Sequence, residues 1–148
     1  MKPPRRFTGD EAREAAELTA RCLEADLRVQ LVYLFGSAAD SKRPDVRDVD
    51  LAILTAPPLS LDEIVRLRAD AVAAARLPID LVSLNHASVV LAKEVADTGR
   101  CLFARSPDIE VQFATRARSR YWDFKPFIET QWRLAGERMR ERRHGAPT

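Results

Sequence analysis

Three short apolar runs frame any fold this chain can adopt. Residues 28–35 (RVQLVYLF), 48–54 (DVDLAIL) and 79–84 (IDLVSL) are rich in Val, Leu, Ile and aromatics. Gly36-Ser37 stops the first abruptly, Pro57-Pro58 breaks the second, and Pro78 precedes the third. Runs of this length between such breakers read as β-strands. Helical signals alternate with them. Thr8 and Glu11 make a Thr-x-x-Glu capping box, followed by Ala12, Ala15, Leu18 and Cys22 at helical spacing. Ser60 and Glu63 make another, opening a helix over 61–76. A shorter helix is expected over 87–97, with Gly99 at its C′ position, and 101–104 reads as a short edge strand. Ser106-Pro107 starts a last helical stretch reaching about residue 143, which Pro126 should kink or divide. Residues 38–47 are small or charged and include Pro44, so they are not a simple strand.

This order predicts an α/β fold with a small sheet covered by helices. A length of 148 residues suits a single domain, 1–148, with a core over 1–105 and a C-terminal helical segment over 106–148. No apolar run approaches the roughly 18 residues a membrane span needs. The N-terminus has charge but no apolar stretch after it, so it is not a secretory signal. Cys22 and Cys101 are far apart, lack metal-ligand spacing and are expected to be buried reduced thiols. A cytoplasmic location is the expectation. With only His86 and His144, a histidine-based hydrolytic triad or zinc site is poorly supported.

The chemistry lies in the acidic residues of the runs. Asp48 and Asp50 are two apart, so on a strand both face one way, with Cα atoms roughly 6.5–7 Å apart. Val49 and Leu51 then face the core. Asp80 stands between Ile79 and Leu81, near the start of the next run. Neighbouring strands would gather these three carboxylates, whose repulsion a divalent cation relieves. Hard oxygen ligands suit Mg²⁺, and two such ions would activate an attacking hydroxyl and stabilise a leaving pyrophosphate. Gly36 permits close backbone approach to a ligand, and Ser37 offers a hydroxyl and N–H groups to phosphate oxygens.

Gly36-Ser37, ten residues, then Asp48-Val49-Asp50 resembles the Gly-Ser-x10-Asp-x-Asp signature of the DNA polymerase β-like nucleotidyltransferases. Asp80 resembles their third carboxylate. Length and layout are similar to the minimal nucleotidyltransferases, the MNT antitoxins encoded beside HEPN-domain toxins. The resemblance implies a small mixed sheet flanked by helices with a long basic C-terminal helical segment. It implies that Asp48 and Asp50 bind two Mg²⁺ ions, that Asp80 binds the catalytic one and helps activate the acceptor, and that Gly36 and Ser37 hold the β- and γ-phosphates. The implied reaction moves AMP from ATP to a tyrosine hydroxyl of a HEPN ribonuclease toxin. Many relatives have arginine where this chain has Ala38, so Lys42, Arg43 and Arg47 are the cations left to contact phosphate. A small-molecule nucleotidyltransferase of aminoglycoside type, or an antitoxin that acts by binding alone, are the competing readings.

Residues 116–143 hold nine basic residues against four acidic, a net charge of +5, with Tyr121, Trp122, Phe124, Phe127 and Trp132 interleaved. They read either as a surface for an acidic partner protein or for RNA, or as an amphipathic helix whose aromatics pack on the sheet, and the resemblance leaves room for RNA reached through a toxin complex.

Overall fold

The computed structural model describes residues 6–40, 42 and 45–144. In chain order these form β1 (Phe7–Thr8), α1 (Gly9–Glu24), β2 (Val29–Phe35), a 3₁₀ turn (Gly36–Ala39), β3 (Asp45–Val46), β4 (Val49–Thr55), α2 (Leu61–Ala75), β5 (Ile79–Ser83), α3 (Val89–Thr98), β6 (Arg100–Ala104) and α4 (Pro107–His144). Both capping boxes form as expected, Thr8 with Glu11 and Ser60 with Glu63. Among the described residues, no helix is long and apolar enough to cross a membrane.

The main sheet runs β5-β4-β2-β6. β2 is antiparallel to both β4 and β6, while β4 and β5 are parallel, so the sheet is mixed. Alternation along each strand divides the core. Val49, Leu51, Ile53, Ile79 and Leu81 face α1 and α2, packing on Ala12, Ala16, Ala20, Leu23, Ile64 and Ala71. The small residues of α1 let the helix approach the sheet closely. Leu31, Tyr33, Ala52 and Leu84 face α3 and α4, against Val95, Leu91, Ile109 and Phe113. Asp50 and Asp80 alternate with the first set and therefore lie on the face that carries α3 and α4. The far end of β4 is closed by Asn85, whose Oδ1 accepts from Thr55 N (2.9 Å) and whose Nδ2 donates to Thr55 O (2.8 Å).

Several expectations need correction. The buried stripe of α1 is Ala12, Ala15, Ala16, Thr19, Ala20 and Leu23, so Leu18 and Cys22 fall outside it. Cys22 is exposed and Cys101 only half-buried, so neither is a buried thiol. Strand β4 begins at Val49, leaving Asp48 just before it. Gly99 has an extended backbone (φ −72°) rather than a left-handed one. It is glycine because a Cβ there would come within 2.5 Å of Val95 O and 3.2 Å of Tyr33 Cδ1.

Pro126 does not divide the last element: α4 is one helix of 38 residues. Proline removes one helical hydrogen bond, at a cost of about 3 kcal/mol in a helix interior. Here the residue four before it, Trp122, is exposed at 62%, so the proline lies in a solvent-facing stretch of helix. Phe113 packs on Tyr33 of the sheet, but the interleaved aromatics further along this helix, Tyr121 apart, are exposed. Phe124, Phe127 and Trp132 are 51–62% exposed, which leaves the partner-surface reading of the segment.

β1 and β3 were not legible in the sequence. They form a separate antiparallel pair, Phe7 opposite Val46 and Thr8 opposite Asp45. Each has two residues, too few to show periodicity.

Candidate active site

The carboxylates are placed by strand register. In the parallel β4–β5 ladder Asp50 stands directly opposite Asp80, as Val49 stands opposite Ile79 and Leu51 opposite Leu81. Strands in such a pair lie about 4.8 Å apart. The buried neighbours Val49, Leu51 and Ile79 lock the register, because a slip of one residue would carry both aspartates into the core. On its other side β4 pairs with β2, and Asp50 stands opposite Phe35.

Phe35 leads into Gly36, which has φ +71°, in the left-handed region that favours glycine. A second constraint acts at the same position. A Cβ on Gly36 would lie 2.4 Å from Asp50 Oδ2 and 3.2 Å from its Cγ. Glycine therefore turns the chain and leaves room for the carboxylate beside it. Ser37 follows in the 3₁₀ turn, partly buried, with Ala38 buried next to it.

Asp48 is exposed, Asp50 is half-buried and Asp80 is exposed. The Asp50 carboxyl is pushed up to about 6, first by burial and then by the charges of Asp48 and Asp80. The three groups are thus electrostatically coupled with Asp50 at the centre. Among the described residues, no three His, Cys, Asp or Glu side chains are gathered tightly enough to hold an ion as they stand. Like charges favour that open arrangement, and a cation would favour a closed one. The donors are all carboxylate oxygens, a set that suits Mg²⁺ rather than zinc, and the space kept free at Gly36 is on the central carboxylate. The residues present fit the metal.

Beside the carboxylates is a small cavity of about 250 Å³, lined by Arg6, Ser37, Asp45, Val46, Arg47 and Asp48. It contains two of the residues expected from the sequence, Ser37 and Asp48, and one of the weighed cations, Arg47. Lys42 is exposed and not part of this lining; its backbone N–H donates to Asp40 Oδ1 at 2.9 Å. Arg43 lies outside the described residues. Arg6 is the site residue that the sequence concealed. It sits some thirty residues before the Gly-Ser turn and reaches the cavity only because β1 pairs with β3.

A larger, mostly apolar cavity of about 700 Å³ lies between α3, α4 and the far ends of β4 and β5, near Leu54, Leu84 and Asn85. Leu54 is four residues along β4 from Asp50, about 13 Å at strand rise, so this cavity is separate from the carboxylates.

The family described as "Polymerase beta, Nucleotidyltransferase" matches residues 17–108, a span that holds Gly36, Ser37 and all three aspartates. Protein adenylyltransferase MntA of Shewanella oneidensis is 36% identical over 96 residues, which are 64% of this chain and 67% of that protein. The crystal structure of the toxin–antitoxin MntA-HepT superposes with a TM-score of 0.64 at 25% identity, covering 81% of this chain and 98% of the matched one. A toxin–antitoxin structure with AMP-PNP gives 0.67 at 28% identity, covering 78% and 98%. A tri-AMPylated Shewanella oneidensis HEPN toxin in complex with MNT antitoxin gives 0.66 at 25% identity, covering 82% and 98%.

Proposed function

The chain belongs to the polymerase beta nucleotidyltransferase family, and from that premise we propose that it is a protein adenylyltransferase of a toxin–antitoxin pair. ATP is the donor, a HEPN-domain toxin is the partner, and the acceptor is a tyrosine hydroxyl of that toxin. The observation that carries this reading is the register of Asp50 and Asp80 with Gly36 against Asp50. It joins the Gly-Ser turn to the carboxylates as one site. The relatives supply the rest. One is an adenylyltransferase by name, one was solved with an ATP analogue, and one was solved with its AMPylated toxin.

Asp48 and Asp50 would hold two Mg²⁺ ions and Asp80 one of them. Bound there, the metal lowers the pKa of the attacking hydroxyl and neutralises charge on the phosphates. The chain's own groups do the remaining work. Gly36 and Ser37 bind the β- and γ-phosphates, which fixes the α-phosphorus over Asp50. The acceptor oxygen forms a bond to that phosphorus. The bond from phosphorus to the α–β bridging oxygen breaks, and its electron pair leaves with pyrophosphate. Asp80, exposed on the strand beside Asp50, would help activate the acceptor hydroxyl and take up its proton. Positioning and charge neutralisation account for most catalysis in phosphoryl-transfer sites of this kind. ATP as donor and two cysteines free of disulfides accord with a cytoplasmic setting.

The test is co-expression with a candidate HEPN-domain partner, followed by incubation with labelled ATP. Label at the α-phosphate should pass to the partner's tyrosine, and label at the γ-phosphate should not. Transfer of γ-label, or of label to a small molecule alone, would contradict the assignment.

A further inference from the structure

The Gly-Ser turn provides a hydroxyl and backbone N–H groups but no cation, because the position after Ser37 is the buried Ala38. A bound triphosphate carries a charge that Mg²⁺ only partly offsets, so the site needs positive side chains from elsewhere. Within the small cavity, Ser37 and Asp48 share their space with two guanidinium groups, Arg6 and Arg47. Arg47 is adjacent to Asp48 in the chain. Arg6 comes from the N-terminal edge, outside residues 17–108 that match the family.

We propose that Arg6 and Arg47 form the cationic wall that grips the β- and γ-phosphates of the donor nucleotide. The inference rests on the nucleotidyltransferase reading above and names side chains that supply charge to its phosphate subsite. Three features support it. First, β1–β3 pairing sets Phe7 opposite Val46, both buried at 4% and 3%, so the residues flanking them, Arg6 and Arg47, are carried by one anchored ribbon. Second, Arg6 is held by an ion pair to Asp45 Oδ2 at 2.6 Å, formed through one of its terminal nitrogens. A guanidinium has five N–H donors in a planar fork, so this contact leaves donors for phosphate. Third, the two acidic groups in the cavity are Asp45, which pairs with Arg6, and Asp48, a proposed metal ligand. With a cation on Asp48 the lining is net positive beside Ser37, as an anion subsite requires.

During transfer the negative charge on the departing pyrophosphate grows. Arg6 and Arg47 therefore serve both to bind the donor and to stabilise its leaving group. They have no partner on adenosine or the α-phosphate, so AMP should not sense them.

Calorimetric titration of the full chain with Mg²⁺-ATP, Mg²⁺-tripolyphosphate and AMP tests this. Arg6→Ala and Arg47→Ala should each weaken ATP and tripolyphosphate binding by about tenfold, as expected for loss of a charge-assisted hydrogen bond. AMP binding should stay within about twofold. Asp45→Asn separates binding from ribbon stability, since it breaks the same ion pair but keeps the arginine. Freed from its carboxylate, Arg6 should bind tripolyphosphate more tightly. If Asp45→Asn weakens binding as much as Arg6→Ala, the arginine acts only through the ribbon and the proposal fails. It fails equally if wild-type protein binds Mg²⁺-ATP and neither arginine variant changes the affinity, an outcome that leaves the nucleotidyltransferase reading intact. Absence of ATP and tripolyphosphate binding by the wild type would overturn both.

Discussion

Gly36 is packed so tightly on Asp50 that a β-carbon would lie 2.4 Å from the carboxylate Oδ2. Gly36→Ala therefore has to displace the central carboxylate as well as strain a backbone at φ +71°. The backbone term is about 1–2 kcal/mol. Displacement of a metal-binding oxygen has a larger effect on chemistry, since small misplacements in such sites cost orders of magnitude. We expect a melting temperature lowered by a few degrees and transfer activity lowered by about a hundredfold or more. Near-normal activity in Gly36→Ala would mean that Asp50 is not held where the mechanism needs it.

The raised Asp50 carboxyl makes a pH prediction with an unusual sign. In the folded, metal-free protein it titrates at about 6, against an ordinary value of 3.8. Between these values the folded chain takes up a proton that the unfolded chain does not, so this group adds stability as pH falls through about 6 towards about 4. Asp26, Glu63 and Asp97 are shifted the other way, by hydrogen bonds and ion pairs to Arg28, Ser60, Lys93 and Arg118, and their contribution is lost only at lower pH. In EDTA, Asp50→Asn should melt higher than wild type at pH 7.5, and the difference should shrink towards pH 5. Metal affinity should move the opposite way, falling below about pH 6 as the ligand protonates. A pH-independent difference between the two proteins would remove the electrostatic account of Asp50.

Leu51 is the adjacent residue with the opposite consequence. It is fully buried on the α1–α2 face, whereas Asp50 points to the other side. Leu51→Ala should cost about 2–5 kcal/mol, through lost burial and the cavity it leaves. Denaturant unfolding of Asp50→Asn and Leu51→Ala side by side checks the strand alternation. Equal losses would mean that Asp50 has a structural role.

The outer half of α4 separates binding from folding. Contacts that tie α4 to the body include Arg118 with Asp97 and Ala96, and Lys93 over the Tyr121 ring. Beyond these, Phe127, Trp132 and Met139 are 59–68% exposed. Arg and aromatic residues are enriched at protein interfaces, and peripheral charges act mostly on association rate. Reversal of Arg138, Arg140 and Arg142 to Glu should weaken capture of the HEPN partner, most visibly at low salt, and leave Mg²⁺-ATP binding unchanged. Deletion of residues 126–148 should leave the melting temperature within a few degrees of wild type. Lost ATP binding in either variant would place this helix in the nucleotide site instead.

What the sequence made legible follows from the length of each signal. Three strands, both capping boxes and the long last helix were readable because five or more residues repeat one pattern or because a cap has a fixed spacing. Asp50 and Asp80 were expected on neighbouring strands from the apolar runs that hold them, whereas the parallel register that sets them opposite each other was not legible. β1 and β3 were hidden because two-residue strands carry no period, and Arg6 was hidden with them. The buried stripe of α1 was misphased because in an alanine-rich helix several faces look equally apolar. Pro126 misled because its usual cost presumes a dry helix interior, and this stretch is wet. How closely the three carboxylates approach could not be foreseen either: sequence spacing tells which groups converge but not their separation.

The central claim is that Asp48, Asp50 and Asp80 hold the metal that drives AMP transfer. The most direct measurement is Mn²⁺ binding in the presence of ATP, followed by paramagnetic resonance, with α-label transfer to the HEPN partner assayed on the same preparations of wild type, Asp48→Asn, Asp50→Asn and Asp80→Asn. The account predicts folded proteins throughout, two ions per chain in the wild type, fewer in each variant, and transfer reduced by at least a thousandfold in Asp50→Asn. Full metal binding and wild-type transfer by Asp50→Asn would contradict it.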